Sequence, residues 1–160
     1  RLADHALVMN EGRVISEGEL SKVFSSLDMH PNFGEEMGVV ILGEVAERDQ
    51  RWHLVRISFP GGSIWVHDGG DAVGNRVRMR VLARDVSIVL DEHDDSSILN
   101  RLPVIVSEIR SEPDDSMALI RLKAGPVDLI ARLTQKSVAH LALKAGKHVW
   151  AQIKSVAVVR

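Results

Sequence analysis

The chain has no cysteine and no tyrosine, only three tryptophans and three phenylalanines, and no excess of either charge. Without cysteine there are no disulfides, no thiolate metal ligands and no cysteine nucleophile, a composition that suits a reducing compartment. Lys and Arg total 20 against 22 Asp and Glu, and the signs are interspersed, so neither a polybasic nucleic-acid footprint nor an acidic tail is present. The scarcity of aromatics leaves little for base stacking on a sheet. No apolar run approaches the ~20 residues of a membrane-spanning helix, and the N-terminus has no apolar signal segment. The opening Arg1-Leu2-Ala3-Asp4 reads like the inside of a domain, so the chain is expected to be a fragment.

Its 160 residues suffice for one ordinary domain or two small ones, each near the size at which a core becomes marginal and a dimer partner helps. Residues 5–9 form a short apolar run that meets the turn Asn10-Glu11-Gly12, and Arg13-Val14-Ile15 resumes an extended pattern, predicting a hairpin. Leu20, Val23, Phe24 and Leu27 have helical spacing. Residues 28–36 have the Pro, Gly and polar content of a linker, which separates a segment 1–27 from the remainder of the chain.

From Gly38 the pattern is β. Strands are expected at 39–45, 54–59, 63–68, 76–83 and 85–90, with turns at Gly61-Gly62 and Gly69-Gly70. After a polar hinge at 92–96 the pattern restarts, with strands at 101–109, 118–124, 127–133 and 147–159 and one helix at 134–142 capped by Thr134. Residues 77–89 can be laid beside 148–159, so the two halves read as a divergent internal repeat. Many short strands separated by turn residues favour closed barrels, which remove exposed edges. The fold class is therefore mainly β, with two small OB-like barrels in tandem, one over 37–95 and one over 96–160.

Two stretches resemble one family. Residues 1–24, RLADHALVMNEGRVISEGELSKVF, look like the end of an ABC-transporter ATPase domain. Ser97-Ile98-Leu99-Asn100, Thr134-x-x-Ser137-Val138, Leu141-x-Leu143-Lys144-x-Gly146 and Ala151-x-Ile153-Lys154-Ser155 resemble, in order, the molybdate-binding Mop module of the TOBE type. Together they resemble the C-terminal regulatory region of the ATP-binding subunit of a bacterial molybdate importer. The resemblance implies a homodimer that binds molybdate or tungstate, works with membrane permease subunits and sits in the cytoplasm at the inner face of the membrane. It implies oxyanion contacts from Ser97, Lys154 and Ser155 on one side and from Thr134 and Ser137 on another. Many members carry Arg where this chain has Leu99, which removes a bidentate contact.

These residues suit a tetrahedral dianion that accepts hydrogen bonds and donates none: hydroxyls rotate to donate, and Lys adds charge. A donor-only shell would also disfavour hydrogenphosphate, whose proton needs an acceptor. Each residue has a structural reading as well. Thr134 can simply cap the helix, Ser137 can be an exposed first-turn residue, Lys154-Ser155 can be an outward pair on a strand, and Ser97 can cap a turn. Asn100 is expected to fix the backbone of its segment, Asp85 to brace a turn, and Trp52, Trp65 and Trp150 to pack in the core or at its rim. His53, His67, His93, His140 and His148 lack close ligand spacing, so no metal site is expected.

No catalytic residue is expected either. Gly-x-x-x-x-Gly-Lys-Ser/Thr is absent, so ATP and Mg²⁺ would belong to another part of the parent protein and this fragment would need no cofactor. Two other readings remain: a dimerisation module that has lost anion binding, and an OB-type nucleic-acid binder, against which the balanced charge speaks.

Overall fold

The structure, a computed structural model, describes residues 37–159; the expected hairpin, helix and linker of residues 1–36 lie outside them. The described residues form β1 (Gly38–Asp49), β2 (Leu54–Phe59), β3 (Gly62–His67), β4 (Arg76–Leu82), a 3-10 turn (Ala83–Asp85) and β5 (Val86–Val89). The second half consists of β6 (Asn100–Ser111), β7 (Met117–Ala124), β8 (Val127–Thr134), α1 (Gln135–His140), β9 (His148–Ile153) and β10 (Ala157–Val159).

The strands make two five-stranded antiparallel sheets, ordered β10-β4-β1-β2-β3 and β5-β9-β6-β7-β8. Each half lends its last strand to the other. After β4 the chain passes through Ala83–Asp85 and pairs as β5 with β9 of the second sheet, Val86 opposite Ile153. After β9 it passes through residues 154–156 and pairs as β10 with β4 of the first, Ala157 opposite Arg80. The two crossings touch, because Lys154 N donates to Asp85 O at 2.8 Å.

The repeat inferred from residues 77–89 and 148–159 is visible in this exchange and in the two long strands. β1 and β6 each run 12 residues. The first part of β1 pairs with β4 and the second with β2, with a register shift between Val45 and Glu47. β6 does the same with β9 and β7, shifting between Val106 and Glu108. A bulge bends a strand and sharpens its twist, so each long strand can turn a corner and serve both sides of a barrel.

Strict alternation decides which side faces in. Along β4, Val77, Met79 and Val81 are buried while Arg76, Arg78 and Arg80 are exposed. The buried side chains of both halves form a single continuous cluster, so the exchange joins the barrels through their cores. Their hairpin tips also meet. Phe59 pairs with Gly62 across a two-residue turn, and a Cβ on Gly61 would lie 2.2 Å from the Ala124 carbonyl oxygen. Only glycine permits that approach.

The expected strand over 147–159 is in fact β9 and β10, which belong to different sheets and are separated by Lys154-Ser155-Val156. The expected helix over 134–142 is shorter. It ends at His140, with Leu141 as C-cap and Ala142 left-handed at φ 52°.

Candidate functional site

The five candidate residues adjoin two different ends of the second sheet. Asn100, the first residue of β6, lies opposite Ile153, the last of β9. Lys154 and Ser155 follow Ile153 as the chain leaves the second sheet, and Ser97–Leu99 immediately precede Asn100. Ser97, Lys154 and Ser155 are all exposed. The Lys154 backbone is fixed by its bond to Asp85 O, and nothing among the described residues pairs with its ammonium. Asn100 holds the opening segment against the first sheet, its side-chain amide bonded to the backbone of Trp65 in β3.

Thr134 and Ser137 stand at the other end. Thr134 closes β8 opposite Met117, the first residue of β7, while Ser111, the last residue of β6, lies opposite Ala118. Thr134 caps α1: its Oγ1 accepts from Ser137 N at 3.1 Å and donates to Ser137 Oγ at 3.0 Å. Gln135 ties the helix start to the sheet, its Nε2 donating to Ser111 Oγ at 2.8 Å and to Met117 O at 3.2 Å. Below it, Arg132 grips Glu112 through two bonds of 2.7 and 3.0 Å. Along the 12 residues of β6, a contour of roughly 40 Å at the usual strand rise, the two groups sit at opposite ends. Within one copy, Lys154 and Ser155 adjoin the Asn100–Ile153 pair with Ser97 three residues before Asn100, and Thr134 and Ser137 lie at the far end of β6.

The helix exit is also built from side chains. Leu143 N bonds Val138 O and Ala142 N bonds Ala139 O, both at 3.1 Å. Lys147 Nζ donates to Leu141 O at 2.6 Å and to Ala142 O at 3.2 Å. Backbone and ammonium together satisfy carbonyls that a helix end leaves open. The Leu141-x-Leu143-Lys144-x-Gly146 segment therefore fixes where the helix stops, and Leu143 is buried beneath it.

β3 is followed by a loop in which Asp68 accepts from Arg48 at 2.6 and 3.1 Å and from Gly70 N at 2.8 Å. The Arg48 guanidinium, then the Gly70 N–H, hold the Asp68 carboxyl down at about 2. Asp68 serves as a latch for its loop. Asp85 ends the Ala83–Asp85 turn and its backbone carbonyl oxygen receives Lys154 N, while its side chain makes no hydrogen bond or ion pair among the described residues. Of the tryptophans, Trp65 and Trp150 are partly buried, whereas Trp52 is 63% exposed with Arg51 stacked on its ring at 4.9 Å.

Sequence reading missed the break at Lys154–Val156. The alignment of 77–89 with 148–159 carried the signal, since it sets this segment beside the Ala83–Asp85 crossing.

Comparison with known proteins agrees with this architecture. The chain is 45% identical over 159 residues to the molybdenum import ATP-binding protein ModC of Methylococcus capsulatus, a match covering 99% of this chain and 45% of that protein. It is 43% identical over 159 residues to ModC of Thiobacillus denitrificans, covering 99% and 44%. The chain thus spans less than half the length of these relatives. Among solved structures it is similar to the cytoplasmic molybdate-binding protein ModG with molybdate bound, at 26% identity and a TM-score of 0.62, covering 74% of this chain and 93% of that one. Residues 96–159 match the TOBE domain, and 99% of the chain is similar to a part of these molybdenum import ATP-binding proteins.

Proposed function

We propose that this chain is the regulatory region of a molybdate importer's ATP-binding subunit, and that it binds molybdate or tungstate at a site two copies share. The observation that carries the reading is the placement of the candidate donors. Lys154 and Ser155 follow the residue of β9 that pairs with Asn100, Ser97 stands three residues before Asn100, and the Thr134–Ser137 segment lies at the other end of the second sheet, so a second copy related by a twofold axis completes a shell that one copy leaves open. The molybdate bound to ModG, on a similar fold, supports the choice of ligand.

In this reading the homodimer sits at the inner face of the membrane through the importer's permease subunits. ATP and Mg²⁺ are handled by the rest of the parent protein, and this region performs no catalysis and binds no nucleic acid. Accumulating oxyanion regulates transport by binding one arrangement of the two ATPase subunits more tightly than the other, since equal affinity would shift nothing.

Leu99, 61% exposed at the edge where Lys154 stands, favours a second reading: a dimerisation module without tight anion binding. Isothermal titration of the chain with molybdate, tungstate, sulfate and phosphate separates the two. Saturable heat with molybdate or tungstate supports the sensor. No heat and no thermal stabilisation at millimolar anion refutes it and leaves dimerisation.

A further inference from the structure

Arg76, Arg78 and Arg80 are exposed at alternate positions of β4, so all three project from the outer face of the first sheet. Register fixes their neighbours. Arg78 lies between Leu42 of β1 and Val159 of β10, Arg80 between Val40 and Ala157, and Arg76 opposite Glu44. Leu42 is 50% and Val159 45% exposed, so the patch is an apolar pair beside a row of positive charge. Neither Arg76 nor Arg78 has a hydrogen bond or ion pair among the described residues. Guanidinium groups rooted two residues apart on one strand repel one another, and opposite charge brought against the row relieves that repulsion.

The complement lies in the same chain. The connection from β5 to β6 holds Asp91, Glu92, Asp94 and Asp95, all exposed and none ion-paired among the described residues. It begins with Leu90, which is 42% exposed. Arg101 secures the loop by donating to the His93 carbonyl oxygen, and Ser96 Oγ accepts from Ile98 N at 3.1 Å. The loop thus matches the β4 face in both respects, with acid for its arginines and an exposed leucine for Leu42 and Val159. Within one copy these carboxylates form no ion pair with Arg76 or Arg78. Between two copies related by a twofold axis the match is made twice, because each copy offers both surfaces.

We infer that the β4 face of one copy, at Arg76 and Arg78, receives the Asp91–Asp95 loop of a second copy. The inference rests on the dimer in the reading above and supplies its docking surface. Opposed charges of this kind steer encounter and set register, and exposed ones weaken as salt screens them.

The test is the dimer dissociation constant of the full 160-residue chain by analytical ultracentrifugation. It is measured for wild type from about 50 to about 500 mM NaCl, for R76E/R78E, for D94K/D95K and for the four substitutions combined. All four positions are exposed, so the core is untouched, and a thermal melt checks each fold. The expected result is association that weakens with salt, about tenfold or more weakening in each reversed pair, and recovery in the combination. R76E/R78E associating like wild type overturns the β4 face while leaving the dimer standing. Weakening without recovery overturns the acidic loop as occupant. A wild-type chain that stays monomeric overturns the surface and the dimer together, and molybdate titration of that monomer then reports the anion site on its own. Should a reversed variant fail to fold, the wild-type salt series decides, and salt-independent association overturns the inference.

Discussion

The Asn100 side chain lies along the Trp65 backbone as a neighbouring strand would: Nδ2 donates to Trp65 O at 2.9 Å and Oδ1 accepts from Trp65 N at 2.8 Å. One amide thereby joins the start of β6 to β3 and fixes the entry to the second barrel beside Lys154. Asn100→Ala leaves both Trp65 backbone groups without these partners and should cost about 2 kcal/mol. Asn100→Asp keeps the acceptor but sets a carboxylate against the Trp65 carbonyl oxygen, and should cost at least as much. Urea denaturation of the two variants measures both.

Thr134 has a structural duty as well as a proposed ligand duty, and two substitutions separate them. Its Oγ1 accepts from Ser137 N, so Thr134→Ala should cost about 1 kcal/mol. Thr134→Asp keeps a capping oxygen but places negative charge where a dianion would sit. Its melting temperature should stay close to wild type while molybdate binding is lost. Retained binding in Thr134→Asp would assign Thr134 to capping alone.

Ala142 occupies the left-handed position after α1 at φ 52°, a place where glycine is preferred because its backbone adopts that conformation without strain. Ala142→Gly should therefore stabilise the chain by about 0.5–1 kcal/mol. A melting temperature at or below wild type would mean that another contact offsets the relief.

The Asp68 latch predicts a pH dependence with a definite sign. Its carboxyl falls from an ordinary 3.8 to about 2 through Arg48 and Gly70 N. The stabilisation is therefore complete above the unfolded value and is lost as pH falls through about 2. Asp68→Asn should be less stable than wild type at neutral pH, with the difference shrinking below pH ~4. Denaturation profiles of both proteins between neutral and strongly acidic pH check it. A difference that is flat across this range would remove Asp68 from the account.

Local patterns were legible in the sequence and long-range pairing was not. Arg76–Leu82 alternates without a fault because one face is buried and the other exposed, and Gly61 marks the β2–β3 turn because another backbone approaches it. β1 was legible only as far as Val45, since the bulge between Val45 and Glu47 interrupts the alternation over residues that still pair with β2. The switch at Lys154-Ser155-Val156 carries no glycine or proline. It is imposed by β4 on one side and Asp85 O on the other, partners distant in sequence. For the candidate site, the helix start and the cap at Thr134 could be read locally. That Lys154 and Thr134 stand at opposite ends of a sheet emerges only from the register of β6, β7, β8 and β9.

The central claim is that one copy supplies Ser97, Lys154 and Ser155 and the other supplies Thr134 and Ser137. Mixing two defective chains tests it most directly. Lys154→Ala and Thr134→Asp should each bind no molybdate alone. After mixing and exchange, half of the dimers are mixed, and each of these rebuilds one site from the intact Thr134 of one chain and the intact Lys154 of the other. Titration should then recover about a quarter of wild-type capacity. A mixture that stays silent while wild type binds and the chains exchange would contradict a site shared between copies.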